Sequence, residues 1–195
     1  MTTAISRGIA FAAAILLLSG SAATAQTRRA TLNAVDRRFL PTAAEGNVAE
    51  VMVSKLALEK SRNDAVRKVA QMLVTEHSRA NFELKPIAGK HNVRLPNAPN
   101  RRHRAEYNRL SRLSGAAFDR AYMRGQIKDH LNTIALFRST VRAGRDADVQ
   151  AYAREYLPAI ENHTVHIVRT AQRIGVRPIP REARAYVGNT GANRR

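Results

Sequence analysis

The chain has 195 residues, the size of one ordinary domain, with 44% hydrophobic residues to fill a core and only 5% aromatic ones. Cysteine and tryptophan are absent, which excludes disulfide frameworks, zinc–thiolate sites, cysteine nucleophiles and iron–sulfur clusters. The net charge of +18 comes mostly from arginines spread along the whole chain, without base-stacking aromatics or a helix-turn-helix pattern. Nucleic acid is therefore not the expected partner, whereas anionic lipid headgroups or envelope polysaccharide suit such a surface.

Residues 1–25 carry the three parts of a secretory signal: Arg7, an uncharged apolar run over residues 9–18, and Ala23-Thr24-Ala25 ahead of Gln26. A run of that length is too short for a membrane span of about 20 residues. The mature chain is expected to begin at Gln26, exported to a bacterial periplasm and soluble, with residues 26–34 a flexible lead-in.

From Phe39 a seam runs Phe39, Ala43, Gly46, Glu50, Val53, Ala57, with the alternating spacing of one helix face. Pro41 is expected in its first turn or at a kink. Ser61-Arg62-Asn63-Asp64 breaks the pattern and caps a second helix. Its seam is Val66, Ala70, Leu73, His77, Ala80, Leu84, Ile87, with Pro86 expected to kink or end it. After a loop over residues 92–100 comes a short helix over residues 103–113, interrupted at Ser114-Gly115. The next seam is Met123, Ile127, His130, Ile134, Phe137, Val141, stopped at Ala143 with Gly144 as a C-terminal cap.

Asp146 or Asp148 opens the last long helix, with seam Val149, Ala153, Tyr156, Ile160, His163, Ile167, Thr170, Ile174, ended by Gly175 and by Pro178 and Pro180. Residues 177–195 read as a basic disordered tail. Residues 35–176 then form an all-α, antiparallel four-helix bundle with an extra short helix between its two helical hairpins.

Each seam is interrupted near its middle by one polar residue: Glu50, His77, His130 and His163. Counted from the turn at residue 62, Glu50 is 12 residues away and His77 is 15, a mismatch of about 4 to 5 Å at the helical rise. From Gly144, His130 is 14 away and His163 is 19, about 7 to 8 Å apart in height. A lone histidine in a seam is usually a satisfied core residue. Three histidines and one carboxylate from four helices instead match a site for Zn, Cu, Ni or Fe, with Asn81 and Gln126 placed to hold the imidazoles. The competing reading is a hydrogen-bonded Glu–His network that fixes helix register without metal.

Several stretches carry a family resemblance: Phe39-x3-Ala43-Ala44-x-Gly46-x3-Glu50-Val51, Glu76-His77-x2-Ala80-Asn81-x2-Leu84, Gly115-x2-Phe118-Asp119-x2-Tyr122, Gln126-x3-His130 and Leu157-Pro158-x4-His163. In these the chain resembles the bacterial exported proteins labelled "predicted outer membrane protein", built on domain of unknown function 4142. The resemblance implies a ferritin-like fold and an envelope location, and no particular activity.

The Glu-x-x-His pairs of ferritin-like di-iron sites are missing, so a dinuclear oxidase is not expected. No Ser-His-Asp set, phosphate loop or glycosidase carboxylate pair stands out either. The expected function is a non-enzymatic envelope or stress-related protein, with the Glu/His layer as a candidate site for one transition-metal ion and the metal-free network left open beside it. The alternatives are a mononuclear His3Glu metalloenzyme and an interaction module gripping anionic envelope polymers with its basic surface.

Overall fold

A computed structural model of the protein describes residues 31–188, so the expected cleavage site before Gln26 and residues 189–195 lie outside it. Among the described residues there are six helices and no strand: α1 (Ala34–Lys60), α2 (Asp64–Lys90), α3 (Arg101–Ser111), α4 (Gly115–Ala143), α5 (Ala147–Arg173) and α6 (Arg181–Gly188).

The four long helices form the bundle, and every neighbouring pair in it is antiparallel. Asn33, at the start of α1, donates to the Ala143 carbonyl at the end of α4 (2.7 Å), while Ser54 and Tyr122 share a 2.8 Å hydroxyl bond further along the same pair. Tyr152 near the start of α5 donates to the Ala80 carbonyl (3.0 Å), and Lys90 meets Asp148 at 2.6 Å. With this arrangement α2 ends where α4 also ends, so the link between them must travel the length of the bundle. The segment carrying α3 does so along α1: Asn100 binds Glu45, and Lys60 donates to the Ser111 carbonyl. A bundle with one long crossover is the ferritin-like topology.

Local chemistry moves several boundaries from their expected places. Asn33 and Asp36 form a capping box, so α1 starts five residues ahead of Phe39. Pro41, Pro86 and Pro158 all lie inside helices that continue past them. Each removes one backbone donor, but the buried stripes on both sides hold these helices together. Asn63 and Asp146 cap α2 and α5 as their positions predicted.

Gly144 is not a left-handed cap: its backbone is extended. Glycine is needed there because a Cβ would lie 2.7 Å from both the Asp36 carboxylate and the Thr140 carbonyl. Buried Asp36 accepts the backbone N–H groups of Arg145 and Asp146, pinning the α4–α5 turn to α1. Gly175, at φ +75°, supplies the left-handed residue that ends α5.

The tail expected to be disordered from residue 177 is ordered to residue 188. Val176 and Ile179 in the connecting segment and Ala183 in α6 are buried, and Val187 packs beside them. Arg138 of α4 lies 6.0 Å from the Tyr186 ring.

The core comes in two parts. One is built around Leu73, Phe118, Tyr122 and Ile167, the other around Phe39, Leu84, Phe137 and Tyr152. Between them lies a polar layer.

Candidate metal centre

His77 on α2, His130 on α4 and His163 on α5 meet in that layer. Their ring centroids form a nearly equilateral triangle with edges of 5.4, 5.6 and 5.6 Å. All three are buried, and one nitrogen from each ring lies within 4.8 Å of the other two.

Each ring is anchored through one nitrogen to an acceptor, and the acceptor dictates the tautomer. His77 Nδ1 is 2.9 Å from Asn47 Oδ1. The amide of Asn47 is oriented in turn, because its Nδ2 donates to Tyr152 Oη, whose own proton goes to the Ala80 carbonyl. His130 Nδ1 is 3.1 Å from the backbone carbonyl of Gln126, an oxygen that can only accept. His163 Nε2 is 2.7 Å from the Glu76 carboxylate. All three anchored nitrogens therefore carry the proton and donate.

The opposite nitrogens, His77 Nε2, His130 Nε2 and His163 Nδ1, are lone-pair acceptors, buried and without a protein partner among the described residues. Burial pushes the pKa of His77 well down, that of His130 to about 3 and that of His163 down as well, so all three rings are neutral at pH 7.

Three neutral imidazoles, each with its outer N–H held by an oxygen, are the donor set expected for a late first-row transition metal. A triangle with edges of 4.8 Å has its centre about 2.8 Å from each corner, against about 2.0 to 2.1 Å for a metal–imidazole bond. An inward shift of at most about 0.8 Å per ring closes the gap, within reach of side-chain rotation.

Glu50, expected as the fourth ligand, stands apart from the three. Its Oε1 is 3.8 Å from His130 Nδ1, the nitrogen already bonded to Gln126, and that distance is too long for a hydrogen bond. The cause is register: Asn47, 15 residues before residue 62, is level with His77, 15 residues after it, while Glu50 lies about one turn off. Burial first and Asp129 second push the Glu50 carboxyl up to about 8, although the Gln126 side chain and Arg102 oppose them.

Of the two expected supporting residues, Gln126 contributes its backbone oxygen to His130 and its side chain to Glu50. Asn81 holds no imidazole, and its Oδ1 has no partner among the described residues. The supports that sequence reasoning missed are Asn47 and Glu76. Asn47 was legible from the level count, whereas Glu76 carries no such signal. The other histidines serve elsewhere: His91 meets Asp146 at 3.0 Å, His103 pairs with Glu45, and His166 is exposed.

A cavity of about 780 Å³ lies between α1 and α4 under α3, with Glu50, Gln126 and His77 in its wall. No helix among the described residues is long and apolar enough to cross a membrane.

The pattern of the family described as Domain of unknown function (DUF4142) matches residues 21–169, and the chain belongs to that family. Among curated proteins none matches. The crystal structure of a DUF305 fragment from Deinococcus radiodurans is similar in fold, with a TM-score of 0.63 at 17% identity, covering 74% of this chain and 98% of that one.

Proposed function

We propose that this protein is exported to the periplasm and holds one transition-metal ion of the Cu, Zn, Ni or Fe class on His77, His130 and His163, serving the envelope as a binding protein rather than as an enzyme. The observation that carries the reading is the one-sided satisfaction of the three rings: every imidazole N–H has an acceptor, and every imidazole lone pair lacks a donor. A hydrogen-bonded network built only to fix helix register would pair its lone pairs too, since each buried unpaired polar atom costs about 1 to 3 kcal/mol. Glu50 is outside this set, and the metal reading does not depend on it.

The second reading, a mononuclear metalloenzyme, is favoured by the cavity that reaches His77, because an enzyme needs a path for substrate to its metal.

Melting of demetallated, untagged protein with and without Cu(II), Zn(II) or Ni(II) tests the site. At 100 times the dissociation constant a bound ion adds about 2.7 kcal/mol. At roughly 2 to 4 °C per kcal/mol for a domain of this size, that raises Tm by about 5 to 11 °C. The gain should vanish in the variant with all three histidines replaced by alanine and persist in His91→Ala. Equal shifts in the triple variant and the wild type would refute the site.

A further inference from the structure

The cavity between α1, α3 and α4 is less basic than the molecule around it. The chain carries a net charge of +18, yet the cavity wall holds the carboxyl groups of Glu45, Glu50, Glu106 and Asp129 against the guanidinium groups of Arg38 and Arg102. At the inner end, Glu50 is only 7% exposed and Gln126 2%, and each keeps an oxygen, Oε2 and Oε1 respectively, without a protein partner among the described residues. His77 lies behind them and belongs both to this wall and to the three-histidine cluster. On the far side of the cluster, the void touching His77 and His163 measures about 10 Å³, room for no more than about one water.

We infer that this cavity is the entry chamber through which a hydrated divalent cation reaches the three imidazoles, with the Glu50 and Gln126 side-chain oxygens as its last contacts before His77. The inference rests on the metal-binding reading and adds a route to it. A strongly basic surface repels a divalent cation, so loading is favoured where the local positive charge is offset, as it is by the carboxyl groups of this cavity. Three of them are held in exchangeable side-chain pairs: Glu45 with His103, Asp129 with Arg102 and Glu106 with Arg109. The passage is wide because small residues face it, among them Gly46 of α1, where an added Cβ would meet nothing within 4 Å. The cover is α3, a helix of 11 residues that buries only His103 and Leu110.

Stopped-flow absorbance of Co(II) binding to the full mature chain, with Co(II) alone as the probe, separates route from site. Gly46→Leu puts a branched side chain into the chamber and favours helix at that position. It should slow loading about tenfold or more while the equilibrium affinity stays within about threefold of wild type. Where leucine unfolds the bundle, Gly46→Ala replaces it, with an expected slowing of about two- to threefold. Gly89→Leu, on α2 where an added Cβ also meets nothing, should load at the wild-type rate. Glu106→Gln should lower the rate severalfold and flatten its dependence on salt.

Wild-type loading by Gly46→Leu at wild-type affinity would overturn the chamber and leave the metal site standing. Equal slowing in Gly89→Leu would overturn it as well. No Co(II) binding by any of the proteins would overturn the site and the route together.

Discussion

His130→Leu should make the metal-free protein more stable, not less. In the wild type, His130 Nδ1 donates to the Gln126 carbonyl, and its Nε2 is buried without a partner. Leucine has a similar volume and carries neither group. The substitution loses one hydrogen bond, about 0.5 to 1.5 kcal/mol, and removes an unsatisfied acceptor that costs about 1 to 3 kcal/mol. It also places an apolar side chain at a site only 1% exposed, beside Ile134 and Ile127 on the same helix face, where burial stabilises by about 1.5 to 3 kcal/mol. The net expectation is a gain of roughly 1 to 5 kcal/mol, or at least about 2 °C in Tm.

The sign also depends on pH in a defined way. Burial pushes the folded pKa of His130 down to about 3 from 6.5, so the unfolded chain takes up a proton that the folded chain refuses, and wild-type stability falls as pH drops below about 6.5. The advantage of leucine should therefore widen between pH 6.5 and 4. Calorimetry of protein dialysed against chelator, at pH 7.5 and pH 5, reads both effects. A loss of several degrees in the metal-free leucine variant at pH 7.5 would refute the reasoning, because it would mean that His130 holds the bundle together without any ion.

Glu50→Gln should flatten the alkaline side of the same profile. The folded carboxyl titrates at about 8 against 4.5 unfolded, so its contribution is full below pH 4.5 and is lost as pH rises through 8, on the order of 5 kcal/mol in all; Tm measured between pH 5.5 and 8.5 should fall less in the variant than in the wild type. Truncation after Val176 should lower Tm by roughly 5 to 10 °C, since it removes buried Ile179 and Ala183 and the Tyr186 ring beside Arg138; an unchanged Tm would show that α6 adds nothing. N-terminal sequencing of protein expressed with its first 25 residues in a bacterial host should give Gln26 as the first residue, and a stable species retaining Arg7 would contradict export by cleavage.

The four long helices were legible because each carries a single apolar stripe sustained over many turns, and such a stripe survives prolines and off-centre caps. Pro41 and Pro86 therefore misled about where the helices start and end, but not about which helices exist. The helix at Arg181–Gly188 went unread because an eight-residue segment gives too few repeats to show a period. The three histidines were legible for the opposite reason. A polar residue that interrupts an otherwise apolar seam must find compensation in the core, and three on three helices can find it together. Their outer anchors are a different kind of information. Gln126 acts on His130 through a backbone oxygen, which no side-chain pattern records, and Glu76 is half exposed and looks like any surface carboxylate.

The exchange of Glu50 for Asn47 shows what kind of residue the layer selects. Both are on α1, three residues apart, and both are buried. The carboxyl belongs to the seam, but one turn of helix carries it past the level of the imidazoles, and burial holds it protonated at neutral pH. The amide sits at the level of His77 and does what a carboxylate could not do alone: it accepts from the imidazole with its oxygen and donates to Tyr152 with its nitrogen. That two-sided bond fixes the amide, the amide fixes the tautomer, and the tautomer leaves Nε2 of His77 as a bare lone pair. Gln126 and Glu76 impose the same result on the other two rings from two other helices. At pH 7 a proton cannot answer all three lone pairs, because burial disfavours every imidazolium. What can answer them together is a metal cation, a single electron-pair acceptor of small radius.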